Sequence, residues 1–326
     1  MAHELTINGG KAEMFYFGEK PWHELGQKVE NALTSEEAIK AAGLNWNVVK
    51  TPAQFTAPTG EVKAVPSKFV NFREDNNTPL GIVGKDYTIV QNRGAFSFFD
   101  AVVGEKAAMY HTAGSLFEGR KIWLLAKLPQ DTIVKGVDIS KNYLLLTNSH
   151  DGTSNLKVLW TSVRVVCNNT LTSALHGVDG KISKMRHTTN IGMRVQEVQE
   201  FLGMSSGLIN RFNLRAEELA NKPLSVSVVE EFFARMNLKT LPNESEISAT
   251  KKKNIREAIE AKIALTGKVT PQIAGTRWAL LNGFTDFVDH DKTVRPSSTS
   301  DKWADSILFG SGAELKRKAL SEVVAI

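Results

Sequence analysis

The sequence predicts an α+β chain, a mostly antiparallel N-terminal sheet with helices followed by an all-helical C-terminal region. Three observations predict it. Residues 107–166 hold runs of strand-like residues broken by turn signals, the strongest being Asp151-Gly152. Earlier, "KFVNFRE" and "GIVGKDYTIV" read as strands separated by the turn-rich "DNNTP". Beyond residue 190 the apolar spacing becomes helical, punctuated by Pro223, Pro242 and Pro271. The regions are therefore 1–190, mixed α/β, and 191–326, helical. No Gly/Ser-rich spacer separates them, so one domain or two remains open.

The elements follow in order. The first fifty residues place aromatic anchors at Phe15, Tyr16, Phe17, Trp22 and Trp46. "TSEEAIKAAG" is a short helix with a capping box, Thr34 or Ser35 capping and Glu37 answering, and Gly43 stops it. "NRGAFSFFDAVVG" is a helix, apolar at Phe96, Phe99, Val102 and Val103 and closed by Gly104. A meander follows: "AAMYHTAGSLF" turns through Glu118-Gly119-Arg120 into "KIWLLAKL", and "NYLLLTN" turns through "SHDGTS" into "NLKVLWTSVRVV". "TSVRVVCNNTLTSALHG" reads as that strand running into a short helix. Asn168 or Asn169 is its N-cap, and Leu171, Ala174 and Leu175 form its apolar stripe. The C-terminal region then offers "EVQEFLGMSSGLINRF", "VSVVEEFFARM", "KKKNIREAIEAKIAL" and "GTRWALLNGFTDFVDH" as amphipathic helices.

Composition narrows the function classes. Of 326 residues, 42% are hydrophobic and 23% charged, as in ordinary globular proteins. One cysteine excludes a disulfide framework and a thiolate-rich zinc site. No signal-peptide core and no apolar run of about 18 residues occurs. The expectation is a soluble protein of the bacterial cytoplasm with no membrane partner. The net charge is +5, and its distribution is uneven. Lys157, Arg164, Lys181, Lys184, Arg186 and Arg194 stand against one acid, Asp179, so residues 157–194 carry as much net charge as the whole chain. Such a concentration suits an anion-binding surface.

Motifs for catalysis are sparse. No G-x-x-x-x-G-K-[ST] and no G-x-G-x-x-G after a strand occurs, which argues against a P-loop ATPase or a Rossmann enzyme; no cofactor is expected. The seven histidines share no i, i+3 or i, i+4 spacing. His150 beside Asp151 reads as a hairpin tip before a metal ligand. Cys167 lies too far along the expected helix from His176 for a dyad, and reads as a buried residue closing a strand.

Nucleic-acid recognition has more behind it. Along β residues 156–166 alternation puts Leu159, Thr161, Val163 and Val165 on an expected core face. Val158, Trp160, Ser162 and Arg164 take the other. Trp160 and Arg164 then lie about 13 Å apart on one surface, a base-stacking ring and a phosphate-binding guanidinium; the alternative is that Trp160 packs under the C-terminal helices and Arg164 pairs with a carboxylate. Asn168 and Asn169 open a helix N-terminus that favours a phosphate. Lys157, Lys181, Lys184, Arg186 and Arg194 complete the expected contact set.

Several stretches carry a resemblance: "PWHELGQKV", "TSEEAIKAAGLNWNVVKTP", "DYTIVQNRGAFSFFDAVVG", "TAGSLFEGRKIWLLAKLP", "YLLLTNSHDGTS", "TSVRVVCNNTL", "RHTTN" and "GTRWALLNGFTDFVDH". Together, from Trp22 to about Leu320, they resemble a family of unknown function carried on phages, prophages and plasmids. More distantly, antiparallel strands followed by a helix with basic residues at the junction look like single-strand annealing recombinases of phages. That resemblance implies ATP-independent binding and annealing of single-stranded DNA in recombination or replication, by a homo-oligomer and without enzymatic chemistry. An alternative is a protein that binds a host factor through the helical region, where Phe232, Phe233, Trp278, Phe284 and Phe287 are the candidate face although most of them read as core. A third is a metal-dependent nuclease using Asp151.

Overall fold

A computed structural model of the chain describes residues 5–18, 25–31, 33–97, 100, 109–154, 156–164, 170–172, 183–185, 205–241, 244–293, 306–307 and 310–326. The chain forms two compact units. The first holds residues 1–129, 144–159 and 182–204; the second holds 130–143, 160–181 and 205–326. The last crossing between them, at 204/205, follows the compositional change near 190, and two earlier crossings fall inside strands.

In the first unit, β1 (Ile7–Asn8) and β2 (Lys11–Ala12) form a small hairpin, and β3 (Met14–Phe17) runs parallel to β4 (Gln27–Val29). Helix α1 (Ser35–Ala41) starts at the capping box read from the sequence. Thr34 accepts from the amide of Glu37, and the Thr34 amide donates to the Glu37 carboxylate at 2.9 Å. β5 (Val48–Thr56), β6 (Val62–Arg73) and β7 (Pro79–Gly84) make a three-stranded antiparallel sheet. Residues 92–97 are helical. Then come β8 (Met109–Leu116) and β9 (Lys121–Lys127), antiparallel neighbours, while β10 (Thr132–Val134) belongs to the second unit. The second half of β11 (Asp138–Ser149) and the first half of β12 (Leu156–Arg164) return to the first. Its neighbour order is β12, β11, β9, β8, β3, β4, the antiparallel-rich sheet that the meander predicted.

A buried ion pair organises this unit. Arg73, at the inner end of β6, donates through both terminal nitrogens to Glu13, at 2.7 and 3.1 Å, and through Nε to Asp75 at 3.0 Å. The guanidinium lies 4.2 Å from the Trp46 ring centre, and Ser115 on β8 donates to Glu13 at 2.6 Å. Burial works against the charge of Arg73, but its carboxylate partners outweigh that cost and hold its pKa above the ordinary value.

The second unit is built on helices. In it, β10 pairs antiparallel with the first half of β11, and the second half of β12 pairs antiparallel with β13 (Thr170–Thr172). β14 (Ser183–Met185) belongs to the first unit and pairs antiparallel with the start of β12. Helix α2 (Ser205–Asn221) has two working stripes. Ile209, Phe212, Ala216 and Leu219 are buried, whereas Asn210, Asn213 and Glu217 bond to Gln130, Thr132 and the Lys135 amide around β10. Helices α3 (Val226–Arg235), α4 (Glu246–Val269) and α5 (Arg277–Asp286) start at the caps Ser225, Ser245 and Thr276. A π-helical turn, Phe287–Asp291, continues α5, and α6 (Ser311–Ala325) closes the chain. Phe232, Phe233, Trp278 and Phe284 are core, as expected for most of that set, and do not form an exposed face.

α4 and α5 touch at Gly283, where an added Cβ would stand 2.7 Å from the Ile263 amide nitrogen. Backbone offers no side-chain adjustment. Gly283→Ala is expected to cost about 1–3 kcal/mol, read as a lower denaturation midpoint in urea.

Candidate nucleic-acid interface

The strand expected to present a stacking ring instead buries it. Leu156, Val158, Trp160 and Ser162 share one face of β12, and all are buried. Trp160 is 1% exposed, with its ring edge-on to Phe212 of α2 at 5.0 Å. Phe212 in turn meets Trp278 of α5 at 6.0 Å, and the Trp278 indole donates to Asp138 at 2.7 Å. Trp160 therefore offers no free face to a base, which corrects the role expected for it. Alternation alone does not reveal that a helix covers the second face of a strand.

The joint after β12 is also different. Thr170, Leu171 and Thr172 form β13, with Val163 opposite Thr170, Ser162 opposite Leu171 and Thr161 opposite Thr172. The expected helix with Leu171 in its stripe is replaced at 170–172 by a strand. Two β-branched threonines favour the extended form, and β12 supplies the backbone partners. Asn168 and Asn169 themselves, with Cys167, His176, Lys181, Arg186 and Arg194, lie outside the described residues.

What the structure does bring together is a pair of lysine positions. β12 and β14 are antiparallel with Lys157 directly opposite Lys184, flanked by Leu156 opposite Met185 and Val158 opposite Ser183. Lys157 is half-buried, on the face of β12 opposite to Trp160. Arg164 is the last residue of β12.

The hairpin tip is a packed structural element. His150 is buried: its Nε2 lies 2.8 Å from the Asn92 side-chain oxygen, and its ring stands edge-on to Trp46 at 5.6 Å. The Asp151 carboxylate accepts from the Thr153 amide at 2.8 Å and from its hydroxyl at 2.6 Å, closing the turn. Among the described residues no three His, Cys, Asp or Glu side chains gather as a metal site requires. Asp151 is thus committed to the turn in this structure.

A second charged cluster was not read from the sequence. On the π-helical turn and the end of α5, buried Asp289 pairs with buried Lys316 of α6 at 2.6 Å. Asp286 accepts from Lys262 at 2.8 Å and lies 3.2 Å from His290 Nδ1. The hydrogen bond to Asp286 raises the His290 pKa, while burial lowers that of Lys316 against the pull of Asp289. The network ties α4, α5 and α6 together. The one sequence signal for it is the density of acids in "TDFVDHD".

An α+β chain with a basic, strand-centred segment is the class that these elements define. The profile of the domain of unknown function DUF932 matches residues 79–308, and the chain belongs to that family. Among curated proteins and among solved structures, nothing matches it. No helix among the described residues is long and apolar enough to cross a membrane.

Trp160→Ala removes a buried indole from the Phe212–Trp278 chain. Its expected effect is a loss of about 3–5 kcal/mol in chemical denaturation, whether or not an oligonucleotide is present. Full stability with selectively weakened oligonucleotide binding would contradict the assignment of Trp160 to the core.

Proposed function

We propose that this protein binds single-stranded nucleic acid, DNA in preference to RNA, and pairs complementary strands without ATP in the recombination or replication of a phage or plasmid. The observation that supports this best is charge. Six basic residues face one acid between Lys157 and Arg194, and the strand register sets Lys157 opposite Lys184. Cations at neighbouring strand positions suit contact with a nucleic-acid backbone. In the sequence, Arg164 ends β12, and Lys181, Arg186 and Arg194 lie on either side of β14. Contacts to backbone phosphates fix a strand without reading its sequence. They leave the bases free to pair with a second strand, which requires no bond-making chemistry. In this reading copies of the chain line up on the strand in the cytoplasm of a bacterial host.

A second reading has its own observation. Leu214, Val226, Leu241 and Ile247, on or beside α2, α3 and α4, are exposed large apolar side chains. Such residues suit a host protein that docks on the helical unit.

A titration of a labelled 30-nucleotide strand at increasing potassium chloride tests the first reading. The logarithm of the binding constant is expected to fall linearly with that of salt, by about 0.7 for each phosphate neutralised. Replacing Lys157 and Lys184 together by glutamine should flatten the slope by about 1.4. No affinity for any oligonucleotide at low ionic strength would overturn it. A stoichiometric host protein retained after nuclease treatment would favour the second reading.

A further inference from the structure

The outer part of β5 and β6 projects as a two-stranded ribbon. Gln54, Phe55 and Thr56 pair with Ala64, Lys63 and Val62, and all six are exposed. Its tip is a pre-set turn. Gly60 donates to the Ala57 carbonyl and Ala57 to the Glu61 carbonyl, both at 2.8 Å, with Pro58 next to Ala57 and Gly60 at φ +85°. Proline early in the turn and glycine in the left-handed region fix a tight hairpin without help from packing. At the inner end, the pairing shifts register between Pro52 and Gln54, and Ser67 sits at φ +58°. From Pro52 to Ala57 the ribbon reaches about 17 Å at some 3.3 Å per residue.

An exposed ribbon of this kind invites another strand along its edge. Here Pro52 and Pro66 remove backbone donors, one from each strand, and the register shift interrupts the ladder between them. What the ribbon presents is therefore its side chains. Phe55 is 51% exposed, a large aromatic residue with nothing packed over much of its ring, and Lys63 stands directly opposite it on the same face. Cross-strand neighbours at such positions have Cβ atoms about 5 Å apart. Lys63 also meets Glu61 at 3.1 Å, but both side chains are at least half exposed, and such a surface pair yields readily to a better anion. Between Val49 and Val70 stand three lysines and one carboxylate, a net of two positive charges.

We infer that this ribbon is a contact element for a single nucleic-acid strand, with Phe55 stacking on a base and Lys63 holding the neighbouring phosphate. The inference rests on the single-strand reading above. It moves the stacking ring from Trp160, which is core, to a ring that solvent reaches. An aromatic face beside a cation is the combination by which single strands are held without sequence preference. The ribbon precedes the residues matched to the DUF932 profile.

The test uses the full chain and a labelled 30-nucleotide oligothymidine. Phe55→Ala should weaken binding about tenfold, the effect of losing one base stack, and Phe55→Trp should restore it. Lys63→Gln should flatten the dependence of log affinity on log salt by about 0.7. Both positions are exposed, so the urea midpoints are expected to match the wild type. Wild-type binding that survives unchanged in both variants would overturn the ribbon's role and leave the single-strand reading standing. A wild type that binds no oligonucleotide would overturn both. If sedimentation shows Phe55→Ala breaking an oligomer, the ribbon serves a second copy of the chain, and its assignment to nucleic acid fails.

Discussion

The first unit depends on one buried guanidinium. Arg73 has 1% of its side chain exposed, and Glu13 has 4%. A charge so placed is tolerable only with its partners in position, and removing one partner of such a pair costs about 3–5 kcal/mol. Glu13 and Asp75 supply the countercharge and Trp46 covers the guanidinium, while Ser115 fills a remaining lone pair of Glu13. These groups are far apart in the sequence, from Glu13 to Ser115. Their convergence fixes the inner end of β6 against the segment entering β3 and against β8. The outer end of the same strand, beyond Pro66, is exposed to solvent. One strand thus has a clamped root and a free tip, the arrangement a ribbon needs in order to reach a ligand without losing its orientation.

The second unit solves a comparable problem with aromatic rings. Trp160, Phe212 and Trp278 meet edge to face, and Asp138 satisfies the last indole. A ring in such a chain gains from burial and from quadrupolar contact. A ring on a binding surface gives up both until the ligand arrives. The two uses compete for the same residue, and at position 160 packing has won.

Much of the fold was legible in the sequence. The Thr34–Glu37 capping box, the hairpin at Asp151-Gly152 and the four helical stripes rest on local chemistry, and the structure carries α1, the β11–β12 connection and the helices α2 to α5 accordingly. The failures have a common physical origin. Thr170–Thr172 pair with β12, and Phe212 covers Trp160; in both cases a distant partner decides the outcome. β5 was not assigned from the sequence; Pro52 stands in it, and at a register shift in a solvent-exposed ribbon a proline is compatible with a strand. Of the candidate site, the basic concentration around β12 and β14 was legible because charge needs no fold to be counted. The register that opposes Lys157 to Lys184 was not, since pairing across 27 residues leaves no local trace.

The central claim is that a single strand lies on the basic segment and on the ribbon, and not on the helical unit's exposed apolar residues. Ultraviolet cross-linking of the full chain to oligothymidine, followed by mass-spectrometric mapping of the modified peptides, tests it most directly. Cross-links in the peptides that carry Phe55 and in those between Lys157 and Arg194 are the result the account predicts. Cross-links confined to α2, α3 and α4, or none at low ionic strength, would contradict it.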